Sequence, residues 1–259
     1  MWPLTESDNN ISLETPVWLT EDERDIQEER ILVTITDLLE STPEIGQILI
    51  NPNPWFNGVN LWSHNFWQQL YFIREEYNIL IVTDDVASCW GKAKTYHSYK
   101  SLMPDGVTPD ISAVGKAITA GYAPLSAAVA NKKVADVVQG KVNYSHTFQP
   151  YIGGIAAMKA TQRIIERDKL LEKSDWIESE LLRIGRILED NDQINKSKVY
   201  GTCAAYYTRD NMIGRALKNR YYGVSSDLAK IPNFRVCVPL IADEEYFYNL
   251  EKKLIEGLV

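Results

Sequence analysis

Cysteine and histidine are scarce in this chain of 259 residues, with three of each: Cys89, Cys203 and Cys237, and His64, His97 and His146. The cysteines are odd in number, far apart along the chain and contain no Cys-x-x-Cys. That excludes a disulfide framework and a thiolate metal site, and reads as reduced thiols of a cytoplasmic protein. The histidines have no metal-ligand spacing, so no metal is expected. No apolar run approaches the roughly 18 residues of a membrane helix. The opening Met1-Trp2-Pro3-Leu4-Thr5-Glu6-Ser7-Asp8 has neither the basic start nor the apolar centre of a signal peptide. Positive charge is in deficit: the net charge of -8 argues against nucleic acid as the main partner. Internal repeats and low-complexity tracts are absent.

What is present is a regular alternation of short apolar runs and helical patterns. Residues 1–16 are polar and expected to be poorly ordered. Thr20-Glu21-Asp22-Glu23 is a capping box ahead of Ile31, Leu32, Ile35, Leu38 and Leu39 at helical spacing, and Ser41-Thr42-Pro43 ends that helix. Ile45 to Ile50 reads as a buried strand and Asn51 to Gly58 as a loop. Ser63 caps a second helix bearing Phe66, Trp67, Leu70, Tyr71 and Ile73. Ile79-Leu80-Ile81-Val82-Thr83 is the clearest strand, and strand–loop–helix–strand is the rhythm of a parallel sheet. Ile111 to Val114 and Ala127 to Ala130 extend the sheet, and Asn131 caps another helix. A helical stretch from about Tyr151 is expected to run to about Leu188. Then come a half-exposed strand over Val199 to Tyr207, a helix over Met212 to Tyr221 ended by Gly223, a strand over Phe234 to Leu240, and a terminal helix opened by Asp243. The expected fold is α/β, with a large domain over 1–165 and a smaller α+β domain over 166–259.

Two polar residues at strand ends carry the chemistry. Lys116 follows Ile111-Ser112-Ala113-Val114-Gly115, just past the carboxyl end of a strand, where open α/β sheets bind ligands. In a poorly solvated pocket such a lysine loses its proton and attacks carbonyls as a free amine; otherwise it is a solvated lysine after a strand. Asp84 ends the Ile79 to Thr83 strand and is either the partner of a buried cation or a loop cap. A receiver-like acidic pocket at Asp84-Asp85 would need a second aspartate after a strand, but Asp110 precedes its strand.

Taken together, Ile79 to Val86, Gly91, Pro109-Asp110-Ile111, Gly115-Lys116 and Ser145-His146-Thr147-Phe148 before an Ala/Gly-rich helix resemble the class III aminotransferases, from about Ile45 to the C-terminus. The resemblance implies a partial pyridoxal-phosphate transferase fold of type I, a mainly parallel sheet flanked by helices, with a small C-terminal domain. It implies pyridoxal 5'-phosphate held by Lys116 as an internal aldimine, by Asp84 at the pyridinium nitrogen, by Val86 against the ring and by Thr147 at the phosphate. Arg235, in Phe-Arg-Val-Cys-Val-Pro-Leu, matches the arginine that grips a substrate carboxylate, against the alternative of a surface strand residue. The implied activity is transfer of an amino group between an amino donor and an oxo acid or aldehyde, in a homodimer or with a complementing chain. The chain departs from the family pattern at Ala87, where a glutamine is usual, and at Lys92, where an arginine is usual. It also lacks roughly the first half of the large domain, with its phosphate loop and its ring-stacking aromatic. A catalytically inactive module that keeps the fold for interaction is the alternative.

Overall fold

The computed structural model describes residues 10–141, 151–209, 224–225 and 231–258. The expected features at Tyr144 to Pro150, Thr147 included, and at Met212 to Gly223 lie outside these residues. Of the N-terminal stretch, residues 10–16 are described: irregular, with Pro16 buried and Trp18 packed just beyond.

Helix α1 (Glu21–Ser41) starts at its capping box: Thr20 Oγ1 accepts from the Glu23 N–H, and the Glu23 carboxylate accepts from the Thr20 N–H. Strand β1 (Gln47–Ile50) and helix α2 (His64–Tyr77) follow. Ser63 Oγ accepts from the Phe66 N–H and donates to the Glu28 carboxylate of α1, so one serine caps α2 and ties it to α1. Burial pushes the Glu28 pKa up, against the lowering effect of the Ser63 donors. Ile35 and Leu39 of α1 and Phe66, Trp67 and Leu70 of α2 form one core with Ile79 and Ile81. Each such side chain contributes about 1.5–3 kcal/mol.

Strands β2 (Leu80–Asp84) and β3 (Ile111–Val114) lie parallel to β1, and β4 (Ala127–Ala130) runs antiparallel at the edge, in the order β1-β2-β3-β4. Short helix α3 (Tyr99–Leu102) sits between β2 and β3, and α4 (Lys132–Val138) follows β4 with Asn131 Oδ1 capping the Val134 N–H. Side chains alternate across this sheet. Ile81, Thr83, Ser112 and Val114 are buried on the covered face. Val82, Asp84, Ile111 and Ala113 are half-buried on the other, where Leu49 is 66% exposed. Parallel sheets are ordinarily covered on both faces. Among the described residues the expected flanking helices cover one, and β4 is exposed along its length.

Beyond Arg167 the chain builds a second sheet. Helices α5 (Ile152–Arg167) and α6 (Ser174–Asp190) replace the single long helix expected. The break falls where the Leu170 N–H returns to the Ile165 carbonyl at 2.9 Å and Lys169 takes φ 49°. The 199–207 segment is a hairpin rather than one half-exposed strand. In it β5 (Lys196–Tyr200) turns at Gly201 into β6 (Cys203–Tyr207), which is buried throughout. Gly201 has φ 57°, and a Cβ there would lie 2.4 Å from the Lys92 carbonyl oxygen, so the turn needs glycine to meet the loop after β2. Strands β7 (Val224–Ser225) and β8 (Asn233–Cys237) complete an antiparallel sheet in the order β5-β6-β8-β7. Helix α7 (Glu244–Leu258) is opened by Asp243, whose Oδ1 accepts from the Tyr246 N–H at 2.9 Å. One face of this sheet (Ala204, Tyr206, Phe234, Val236) packs on α6 and α7. The other face, carrying Cys203, Ala205 and Tyr207, meets Val59, Leu61 and Trp55 of the loop after β1. Tyr207 donates to the Gly58 carbonyl at 2.7 Å, and at Gly58, φ 93°, a Cβ would collide with that hydroxyl.

Candidate active site

The parallel register places Asp84 beside Ala113, so the acid and the lysine three residues further on leave the same edge of the sheet from adjacent strands. The ladder continues one step past β2, where the Asp85 N–H donates to the Ala113 carbonyl at 2.9 Å. The chain after β2 then folds over the end of β3. Val86 comes within 3.3 Å of where a Cβ on Gly115 would stand, and Cys89 Sγ lies 3.4 Å from the Gly115 carbonyl oxygen. Asp84 itself is half-buried, with Oδ1 accepting from the Val86 N–H at 3.2 Å. Asp84, Val86 and Lys116 are therefore gathered at the carboxyl ends of β2 and β3, on or beside the uncovered face.

Lys116 begins a 3₁₀ turn (Lys116–Thr119) with φ 44°, a left-handed conformation that costs a non-glycine residue energy and concentrates at functional positions. Ile118, buried behind it with Cys89 and Val114, belongs to a cluster on which Met158 of α5 packs, so the turn is backed by that helix. The lysine is exposed, so the poorly solvated surroundings expected for it are not supplied by the described residues.

Arg235 is buried at 1% exposure, which removes the surface-strand alternative. It pairs with Ala205 across β6 and β8, on the face turned toward the loop after β1, and its guanidinium lies 5.3 Å from the centroid of the Trp55 ring. The arginine is thus brought to the loop leaving the strand next to β2. Thr147 lies outside the described residues.

Behind the site stands a brace that sequence reading did not find. Asp110, fully buried, accepts from both Nε and Nη2 of Arg74 on α2, from the Ile81 N–H of β2 at 2.9 Å and from Asn131 Nδ2 after β4 at 2.8 Å. Burial alone would raise its pKa, but the Arg74 fork, the Ile81 amide and Asn131 outweigh it and hold the carboxyl below its ordinary range. The signal available was the aspartate directly before a buried strand. Its partner, 36 positions away, leaves no local trace. Asp85, also fully buried, accepts from the Ser98 N–H at 2.9 Å, and burial raises its pKa. A surface cleft lined by Lys173, Trp176, Asp243, Glu244 and Glu245 lies at the N-terminal ends of α6 and α7 and includes none of the site residues.

A family model described as aminotransferase class-III matches residues 5–256. The chain belongs to the class III aminotransferases. The match begins well before Ile45, so the N-terminal segment and α1 are also part of the family pattern. Among curated relatives, a β-alanine–pyruvate aminotransferase of Pseudomonas aeruginosa is 28% identical over 144 residues, covering 52% of this chain and 32% of the relative. A taurine–pyruvate aminotransferase of Bilophila wadsworthia is 27% identical over 163 residues, covering 60% and 34%. The chain thus spans about a third of the length of these relatives. Among solved structures, a transaminase from the marine bacterium Virgibacillus superposes with a TM-score of 0.81 at 18% identity, over 89% of this chain and 57% of that one. A taurine:2-oxoglutarate aminotransferase from Bifidobacterium kashiwanohense, solved in complex with PLP and glutamate, gives 0.81 at 18% identity over 93% and 58%. The fold is that of the type I pyridoxal-phosphate transaminases, in part.

Class III aminotransferases use pyridoxal phosphate, and the residues present fit one end of that molecule. An acid, an apolar side chain over a glycine and a lysine stand at the ends of two adjacent strands, residue types that suit the ring. The phosphate end fits less well. Phosphates are held by free N–H groups at helix N-termini; those of α1, α2 and α4 are engaged by Thr20, Ser63 and Asn131, and of the longer described helices α5 and α6 start without a side-chain cap.

Proposed function

We propose that this chain forms the lysine-bearing part of a pyridoxal-phosphate-dependent aminotransferase, which moves an amino group between an amino donor and an oxo acid or aldehyde. The observation that carries the reading is the placement of Asp84, Val86 and Lys116 at the adjacent carboxyl ends of β2 and β3. When bound, the cofactor supplies an electron sink for cleavage at the amino-bearing carbon. Lys116 would hold it through Nζ and, as a free amine, would carry a proton between atoms of the substrate. Asp84 would hold the pyridine nitrogen, its negative charge favouring the protonated form. Val86 excludes water from one face of the ring. Arg235 orients the substrate by a bidentate grip on its carboxylate. Thr147 contributes a hydroxyl to the phosphate. The sheet face that the described residues leave bare, and the exposed β4, support completion of the site by further polypeptide, from a second copy or a complementing chain, which brings the remaining phosphate donors. The change of core after Arg167 supports a domain boundary near residue 166, and the free thiols support a cytoplasmic location.

Two observations favour an inert interaction module instead: Ala87 stands where the family has glutamine, and Lys116 is exposed. Borohydride trapping separates the readings. The chain is mixed with pyridoxal phosphate, alone and with any co-purifying partner, reduced, digested and examined by mass spectrometry. A phosphopyridoxyl group is expected on Lys116 and lost in Lys116→Ala. Labelling spread over surface lysines, with Lys116 no more reactive than the rest, establishes the inert module.

A further inference from the structure

Cys203 and Cys237 are 34 positions apart in sequence, yet they face each other across β6 and β8 with their sulfurs 3.2 Å apart. The Val238 N–H donates to the Thr202 carbonyl at 2.8 Å, the bond that flanks a non-hydrogen-bonded antiparallel pair. In such a pair the Cα atoms approach to about 4.5 Å, within the span a disulfide bridges. The two thiols also differ in access and surroundings. Cys203 is buried and Cys237 is partly exposed. Lys92, whose Nζ donates to the Val238 carbonyl at 2.9 Å, places a positive charge at Cys237. The geometry points to a reversible disulfide between Cys203 and Cys237, formed by exchange with a small-molecule disulfide, with Cys237 as attacking and Cys203 as resolving thiol. This proposal does not depend on the cofactor reading.

The exchange balances without any further reagent. The Cys237 thiolate attacks one sulfur of the small disulfide. That S–S bond breaks, and the departing thiolate takes up the proton Cys237 gave away. Cys203 then loses its proton and attacks the Cys237 sulfur of the mixed disulfide, expelling the second small thiolate, which takes that proton. Two protein thiols are oxidised and one small disulfide is reduced to two thiols. The groups facing Cys237 are Lys92 from the loop after β2, Cys203 and Thr202 from β6 and its turn, and Tyr246 from α7. The Cys203 donor and the Lys92 charge lower the Cys237 pKa below its ordinary value, against its burial. Cys89, buried beneath the Lys116 turn, is pushed up to about 11 and serves as an internal control.

The test incubates the folded full-length chain in glutathione/glutathione-disulfide buffers at neutral pH, blocks free thiols after denaturation and digests without reduction. A linked Cys203–Cys237 peptide is expected, with Cys89 alkylated. Dithiothreitol should reverse the link, and the oxidised form should melt several degrees higher because the unfolded chain is tethered. Cys203→Ala should stop at a stable glutathione adduct on Cys237. Should that variant misfold, Cys237→Ser replaces it, and Cys203 should then stay reduced. Alkylation of Cys237 at pH 7 should be at least a hundredfold faster than that of Cys89 and slow about tenfold in Lys92→Gln. A wild-type chain that halts at the mixed disulfide, remains fully reduced in pure glutathione disulfide, or links through Cys89 overturns the proposal.

Discussion

Asp84 is the residue whose placement costs the fold least and matters most to the proposed chemistry. It is half-buried, and its Oδ1 accepts from the Val86 amide at 3.2 Å. Replacing it should therefore disturb ligand binding more than stability. Asp84→Ala is expected to melt within a few degrees of wild type. It should lose about ten- to a hundredfold in pyridoxal-phosphate affinity, corresponding to the roughly 1.5–3 kcal/mol of a hydrogen bond to a charged group. Fluorescence or absorbance titration measures it, and unchanged affinity would reject the assigned ion pair. The strand ends that carry Asp84 and Lys116 were legible in the sequence because each residue follows a short apolar run with a sharp end. Arg235 was legible only in part: its motif marked it, but its burial against Trp55 depends on a loop 180 positions earlier, which no local pattern encodes.

At the scale of elements, the side chain of Asp110 adds to the ladders that hold the first sheet in register. That carboxylate joins α2, β2 and the end of β4, while its own N–H donates to the Ile81 carbonyl at 2.8 Å. Removing one partner of a buried ion pair leaves the other charge uncompensated, at a cost of about 3–5 kcal/mol. Asp110→Ala is expected to lose that much in urea unfolding at pH 7, with Asp110→Asn losing less because it still accepts from the Ile81 amide. Because the folded pKa is depressed, the contribution is complete above the unfolded value and disappears as pH falls through the folded one. The gap between wild type and variant should therefore close in acid. A loss under about 1 kcal/mol would mean that the pair is bypassed by water. Capped helices such as α1 and α2, and strands with one sharp apolar run, were readable because the signal lies within a few residues. The break between α5 and α6 was not. Helical periodicity continues through it, and the left-handed Lys169 that ends α5 is a residue type that gives no warning. The 199–207 hairpin was missed because β6 is buried on both faces and β5 is half-buried at every position, so neither strand shows the alternation that marks a half-exposed strand.

Across the whole molecule, the N-terminal segment, the loop after β1 and the second sheet meet at Lys198. Its ammonium donates to the Trp18 carbonyl and to Asn60 Oδ1, and lies 5.8 Å from the Trp18 ring and 5.7 Å from the Tyr207 ring. Burial first, and the neighbouring Lys196 second, lower its pKa to about 8. The unfolded chain would hold that proton up to about pH 10.4. Between the two values the unfolded state binds more protons than the folded one, so this group makes folding more favourable as pH rises through that window. Comparison with Lys198→Met, which keeps the apolar stem, cancels the titration of the tyrosines and other lysines. Wild type should gain about 1–2 kcal/mol on the variant between pH 8 and 10.4, a range already discounted for the solvent that still reaches this half-buried amine. Chemical denaturation at three or four pH values measures it. A flat difference would show that water, rather than protein, surrounds the charge, and that the junction between the first and second sheets is looser than the packing of Trp18, Asn60 and Tyr207 implies.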